Sequence, residues 1–125
     1  MKPIPTVTGE PEHLASVRHQ LVLLARRKGA RQLDWPRKWH PAQVRDPRRQ
    51  GDYFTRENAW EFIAEILEAG HPFEVIEQDD PPGVNAYQMV VDIGEASVPA
   101  VFIKVRLGAG EILGRSFHEA TGSRS

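Results

Sequence analysis

Val101-Phe102-Ile103-Lys104-Val105-Arg106-Leu107-Gly108-Ala109-Gly110-Glu111-Ile112-Leu113-Gly114-Arg115-Ser116-Phe117-His118 has the pattern of two strands joined by a tight glycine-rich turn. Side chains along a strand alternate between its faces, so Val101, Ile103, Val105 and Leu107 share one side and Phe102, Lys104 and Arg106 the other. Gly108-Ala109-Gly110 fits a hairpin loop, a type I turn closed by a glycine in the left-handed region. That turn predicts Leu107 opposite Glu111, Lys104 opposite Gly114 and Phe102 opposite Ser116. Leu113 and Phe117 then join the apolar face, Ser116 and His118 join Lys104 and Arg106, and Arg115 falls on the apolar side near the sheet edge. A slip by one residue would set Ser116 and His118 against valine and isoleucine, so burial supports this register as well as the turn does.

Upstream, Ala86 to Ile93 is a further strand, with Tyr87, Met89, Val91 and Ile93 on the core face and Gln88 and Asp92 on the polar one. Gly/Ser/Pro-containing links this short make the C-terminal strands an antiparallel meander. Asp79-Asp80-Pro81-Pro82-Gly83 is a turn cluster, and Phe73 to Glu77 ahead of it has the length of a fourth, short strand. Thr55 is a good N-cap, Glu57 suits the first turn, and Trp60, Ile63, Ile66 and Leu67 form the apolar stripe of a helix that Gly70 and Pro72 stop. A second helix, at about residues 11 to 28, opens at Glu10-Pro11-Glu12, carries Leu14, Val17, Leu21 and Leu24, and ends on Arg26, Arg27, Lys28 and Gly29. Between the helices, residues 30–54 hold Pro36, Pro41 and Pro47 and no sustained period, which predicts a long basic loop pinned by Trp35, Trp39 and Tyr53. The tails, 1–10 and 119–125, are expected to fray. The fold expected is therefore α+β, with two helices packed on one face of a small twisted antiparallel sheet.

The chain of 125 residues is one domain's worth and long enough to bury a core without staples. It has no cysteine, which excludes disulfides and thiolate metal sites and points to a reducing compartment. No signal peptide or bilayer-length apolar run is visible, so the expected location is the cytoplasm. The net charge of −1 argues against a general nucleic-acid coat, but charge is segregated. Arg26, Arg27, Lys28, Arg31, Arg37, Lys38, Arg45, Arg48 and Arg49 are opposed only by Asp34 and Asp46, whereas Glu57 to Asp80 carries acids and no lysine or arginine. Such blocks are either solvated faces or surfaces for an anion and for a second partner.

The sheet thus has one apolar face and one that carries Gln88, Lys104, Arg106, Ser116 and His118. Cleavage of RNA by its own 2′-hydroxyl needs a group that moves protons near neutral pH and cations that stabilise the phosphorane. Histidine, lysine and arginine meet that need, although a solvated polar face is also what antiparallel sheets commonly have. The five histidines show no metal-ligand spacing, and no metal or other cofactor is expected. Ser116 and His118 lack a third, orienting acid, and Gly108-Ala109-Gly110 leads into a strand where a phosphate-binding loop would lead into a helix. Trp35, Arg37, Lys38, Trp39 and His40 interleave aromatic and basic groups either to stack bases or to pin the loop.

The run Phe102 to Arg106, the glycine-rich turn and Ile112 to His118 resemble the closing strands of small bacterial toxins of the MqsR and RelE kind, in the barnase/colicin/RelE-like ribonuclease superfamily. The helix before Gly70-His71-Pro72 and the Pro-Pro-Gly turn follow the same order of elements, and the resemblance covers about residues 55–118. It implies metal-independent cleavage of messenger RNA and a cognate antitoxin as partner. The expected roles are His118 as general acid or base, Lys104 and Arg106 on the scissile phosphate, and Arg115 and Ser116 as supports. Arg37, Lys38, Arg45, Arg48 and Arg49 would hold flanking phosphates. The rival reading is a non-catalytic protein-binding module, an antitoxin, immunity or adaptor protein, that uses its acidic helix.

Overall fold

The computed structural model describes residues 10–46, 52–79, 82–92 and 100–120, with the backbone alone at 34–37, 78–79 and 82–83. Its elements are α1 (Glu12–Ala25), β1 (Arg31–Trp39), α2 (Arg56–Glu68), β2 (Glu74–Asp79), β3 (Pro82–Val91), β4 (Val101–Leu107) and β5 (Ile112–Glu119), with short 3₁₀ turns at Lys28–Ala30 and Pro41–Gln43. The five-stranded sheet runs β1-β5-β4-β3-β2. β2 to β5 form the antiparallel meander that short links require, and Asp79 pairs with Pro82 across the first turn. The α+β class holds.

The sheet differs from the expected one at its edge. β1 lies within the stretch read as a long basic loop and pairs parallel to β5, from Arg31 opposite Ile112 to Trp39 opposite Phe117, so the sheet is mixed. The pairing is broken between Leu33 and Lys38, around Pro36. Proline has no N–H to give to a ladder and is tolerated at an edge, so the strand carries no clean alternation for sequence to reveal. The helix ends are also shifted. α1 stops at Ala25, where the Arg26 N–H donates to the Val22 carbonyl and the Arg27 N–H to the Leu24 carbonyl, both at 3.1 Å. Glu10 and Glu119, expected to be frayed, are placed: Glu10 pairs with Arg18 and Glu119 pairs with Val101.

One apolar cluster joins the helices to the sheet. Leu21, Val22 and Ala25 of α1 and Ala59, Ile63, Ala64 and Leu67 of α2 are all but fully buried with Val101, Ile103, Val105, Ile112 and Phe117. Thr55 caps α2 by accepting the Asn58 N–H at 3.0 Å, and Gly70 leaves it at φ 91°, where a side chain would be strained. Trp39 docks into this core beside Trp60 and Phe117, with ring centroids 4.9 and 5.4 Å away. The pinning reading of that tryptophan is the one the structure supports. Arg18, 1% exposed, crosses from α1 to the end of α2 and donates to the Leu67 and His71 carbonyls at 2.9 and 2.8 Å.

The hairpin register departs from expectation twice. Leu107 pairs with Ile112, so the loop is one residue longer, and the pairing shifts again between Lys104 and Val105, which face Ser116 and Gly114. Arg115 is therefore the extra residue of a bulge. Ile112 replaces Leu113 in the core, and Leu113 is half-exposed on the opposite face. Gly114 meets the Trp39 ring so closely that a Cβ would lie 2.5 Å from it. We expect Gly114→Ala to push Trp39 out of its stack and to cost about 1–3 kcal/mol by overpacking. Chemical denaturation followed by tryptophan fluorescence checks this, and an unchanged midpoint would contradict the contact.

Candidate functional site

Because paired residues in a sheet point to the same side, the register lays one row of side chains across the face turned away from the helices. From edge to edge it reads Lys38, Ser116, Lys104, Gln88, Glu74. Directly opposed Cβ atoms in such rows are about 4.5–5.5 Å apart, so Ser116 sits between two lysines. Gln88 donates to the Glu74 carboxylate at 3.1 Å, which occupies that acid at the far end. The next row is His118, Phe102 and Val90. The His118 ring lies against Phe102 with centroids 5.3 Å apart and planes 36° apart, which fixes where the imidazole can point. On the other side of the lysine row, Arg106 faces Leu113.

Two details set the chemistry of these groups. His118 Nδ1 lies 2.8 Å from the Glu119 carbonyl oxygen. A carbonyl can only accept, so Nδ1 carries the hydrogen and neutral His118 keeps its lone pair on Nε2. Lys104 has its ammonium below the ordinary lysine range, first because it is partly buried and then because the Arg115 guanidinium lies near it. The bulge thus brings Arg115 to the lysine row, whereas the expected register had left it on the apolar side. Lys104 has no ion-pair partner among the described residues.

The five residues expected to carry catalysis, Lys104, Arg106, Arg115, Ser116 and His118, come together around this face. The expected phosphate-holding set does not stay together. Lys38 moves into the central row, a place its neighbour Trp39 could have signalled, since a strand that buries Trp39 must turn Lys38 outward. Arg45 stacks over the Tyr53 ring at 5.6 Å, beside the bridge that joins these two residues. The Arg37 side chain, Arg48 and Arg49 lie outside the described residues. Phe102, which props His118, was read only as a strand residue.

The acids of α2 are partly used within the chain: Glu68 takes both Arg26 Nε and Nη2, the former at 3.0 Å, and Glu57 takes Lys28 at 3.1 Å. No group of three histidines or carboxylates converges as a metal-binding set among the described residues. No helix among them is long and apolar enough to cross a membrane. No family model, curated protein or solved structure matches this chain.

Proposed function

We propose that the protein is the toxin of a toxin–antitoxin pair, a metal-independent endoribonuclease that works in the cytoplasm and cuts messenger RNA through attack by an internal 2′-hydroxyl. The observation that carries this reading is the row Lys38-Ser116-Lys104 with His118 one step along the same face. Cations on either side of a hydroxyl, with their nearest row acid already engaged by Gln88, suit a phosphodiester better than they suit solvent.

The reaction needs a proton acceptor, a proton donor and charge stabilisation. His118 Nε2 takes the 2′-hydroxyl proton as the 2′-oxygen bonds to phosphorus. Lys104, made a readier donor by its lowered pKa, protonates the 5′-oxygen as its bond to phosphorus breaks. Arg106 and Arg115 offset the charge that builds on the phosphorane oxygens, and the Ser116 hydroxyl donates to one of them. The products are a 2′,3′-cyclic phosphate and a 5′-hydroxyl, so atoms and protons balance without water or metal. An antitoxin silencing this site would cover the same face, where Val90 stands 56% exposed beside Phe102. The rival, a binding module built on the acidic helix, has less support, because Glu57 and Glu68 are engaged by Lys28 and Arg26.

The test is incubation of the purified chain, freed of any co-purifying protein, with a mixed RNA pool in excess chelator, followed by end-group analysis. Fragments ending in cyclic phosphate are the expected result. Intact RNA would leave the protein-binding module as the better account of this face.

A further inference from the structure

On the helix side of the sheet, away from the row just described, a cleft of about 420 Å³ opens between the start of β1 and the first turn of α2. Its size falls in the ~300–1,000 Å³ range of clefts that hold small ligands. Lys28, Arg31 and Arg56 reach it from three different elements, Glu57 faces them, and Leu33 and Trp60 supply apolar wall. We infer that this cleft binds the phosphate group of a small phosphomonoester.

Three cations against a single carboxylate leave two positive charges, and a phosphomonoester carries about −1.5 to −2 near neutral pH. Two of the cations are guanidiniums, whose planar forks match phosphate oxygens in pairs. Arg31 is positioned for this by its own strand. It pairs with core residue Ile112, so it turns to the helix side, and its Nε donates to the Ala25 carbonyl at 2.8 Å. That bond holds the guanidinium in place and leaves its Nη groups for a ligand. Arg56 has no partner among the described residues and occupies the first position of α2. A cation there opposes the helix dipole, so local folding gains nothing from it, and Lys28 and Arg31 crowd the same end. A residue that is unfavourable for its own helix and converges with two other cations on a cleft is explained by an anion that binds there. Leu33, 41% exposed, gives the rest of such a ligand an apolar contact.

The test titrates the intact chain at low salt with adenosine 5′-monophosphate, ribose 5-phosphate and unphosphorylated adenosine, read by tryptophan fluorescence because Trp60 lines the cleft. Saturable binding of either phosphate with none of adenosine is expected. Equal binding of both phosphates assigns recognition to the phosphate and sugar, whereas tighter binding of the nucleotide adds the base. Arg56→Glu should weaken binding at least tenfold while leaving the thermal midpoint at or above that of wild type, because an acid at the helix start is favourable. Lys28→Gln, at a side chain 74% exposed, should give a smaller loss in the same direction. No saturable phosphate binding by the wild-type chain would overturn the inference. So would wild-type affinity in Arg56→Glu, or adenosine binding as well as its phosphate.

Discussion

Replacing His118 by alanine is expected to slow RNA cleavage by about 10²–10⁴-fold, the range that one positioned proton-transfer group contributes. The fold should survive, because His118 lies on the outer face and its main contact is the Phe102 ring. Under the proposed mechanism the loss falls on the chemical step. Single-turnover cleavage should drop while RNA affinity stays close to that of wild type. Lys104→Ala should be similarly severe, but with weaker binding as well, since it removes a cation from the central row. Denaturing electrophoresis of wild type and both variants, each checked by circular dichroism, decides the matter. Equal cleavage by all of them would remove the outer face from the mechanism.

The largest effect on stability is expected at Arg18. Every nitrogen of its guanidinium is engaged: Nε and Nη2 bind both oxygens of Glu10 at 3.2 and 2.6 Å, Nη1 binds the Leu67 and His71 carbonyls, and the group stands 5.0 Å over the Phe73 ring. It gives the His71 carbonyl a donor just past α2 and adds a second one to the Leu67 carbonyl, which also accepts the Gly70 N–H at 3.1 Å. Arg18→Ala leaves a nearly buried carboxylate and the His71 carbonyl without their donor, and breaking such a pair from one side costs about 3–5 kcal/mol. Arg18→Met combined with Glu10→Gln should recover part of that loss, because it removes the stranded charge and refills the volume. Urea denaturation of the three proteins measures both. Wild-type stability in Arg18→Ala would mean that the buried network contributes nothing net.

Much of the frame was legible in the sequence because local signals agreed there. Thr55, the stripe from Trp60 to Leu67 and Gly70 mark α2 independently of one another, and the alternation in β4 survives because nothing interrupts it. The polar face was read correctly through two errors that cancel. The loop is one residue longer than the turn suggested, and the bulge at Gly114 and Arg115 adds another. A shift of two residues restores Ser116 and His118 to their expected side, while Ile112 and Leu113, lying between the two shifts, exchange faces. Gly114 was the available clue, since a glycine inside a strand often marks a bulge or a close approach. β1 was not legible, since its partner lies far along the chain and Pro36 interrupts its pattern. The cleft at Lys28, Arg31 and Arg56 was invisible for the same reason: these residues meet only after β1 has docked beside α2.

The parallel pairing of β1 with β5 also fixes an order of events in folding. The segments from β2 to β5 can zip together through neighbouring turns, and α2 can settle on them early, because their contacts are close in sequence. Arg31 cannot find its place until Ile112 exists. On the ribosome, the β1 segment emerges before α2 and must wait, unpaired, through the synthesis of every other strand. It carries Pro36 during that interval, and a residue with no N–H to give makes it a poor template for pairing with another chain. The irregularity that hid this strand from a sequence reading thus protects the nascent chain, and closure of the sheet edge becomes the last step that completes the core around Trp39.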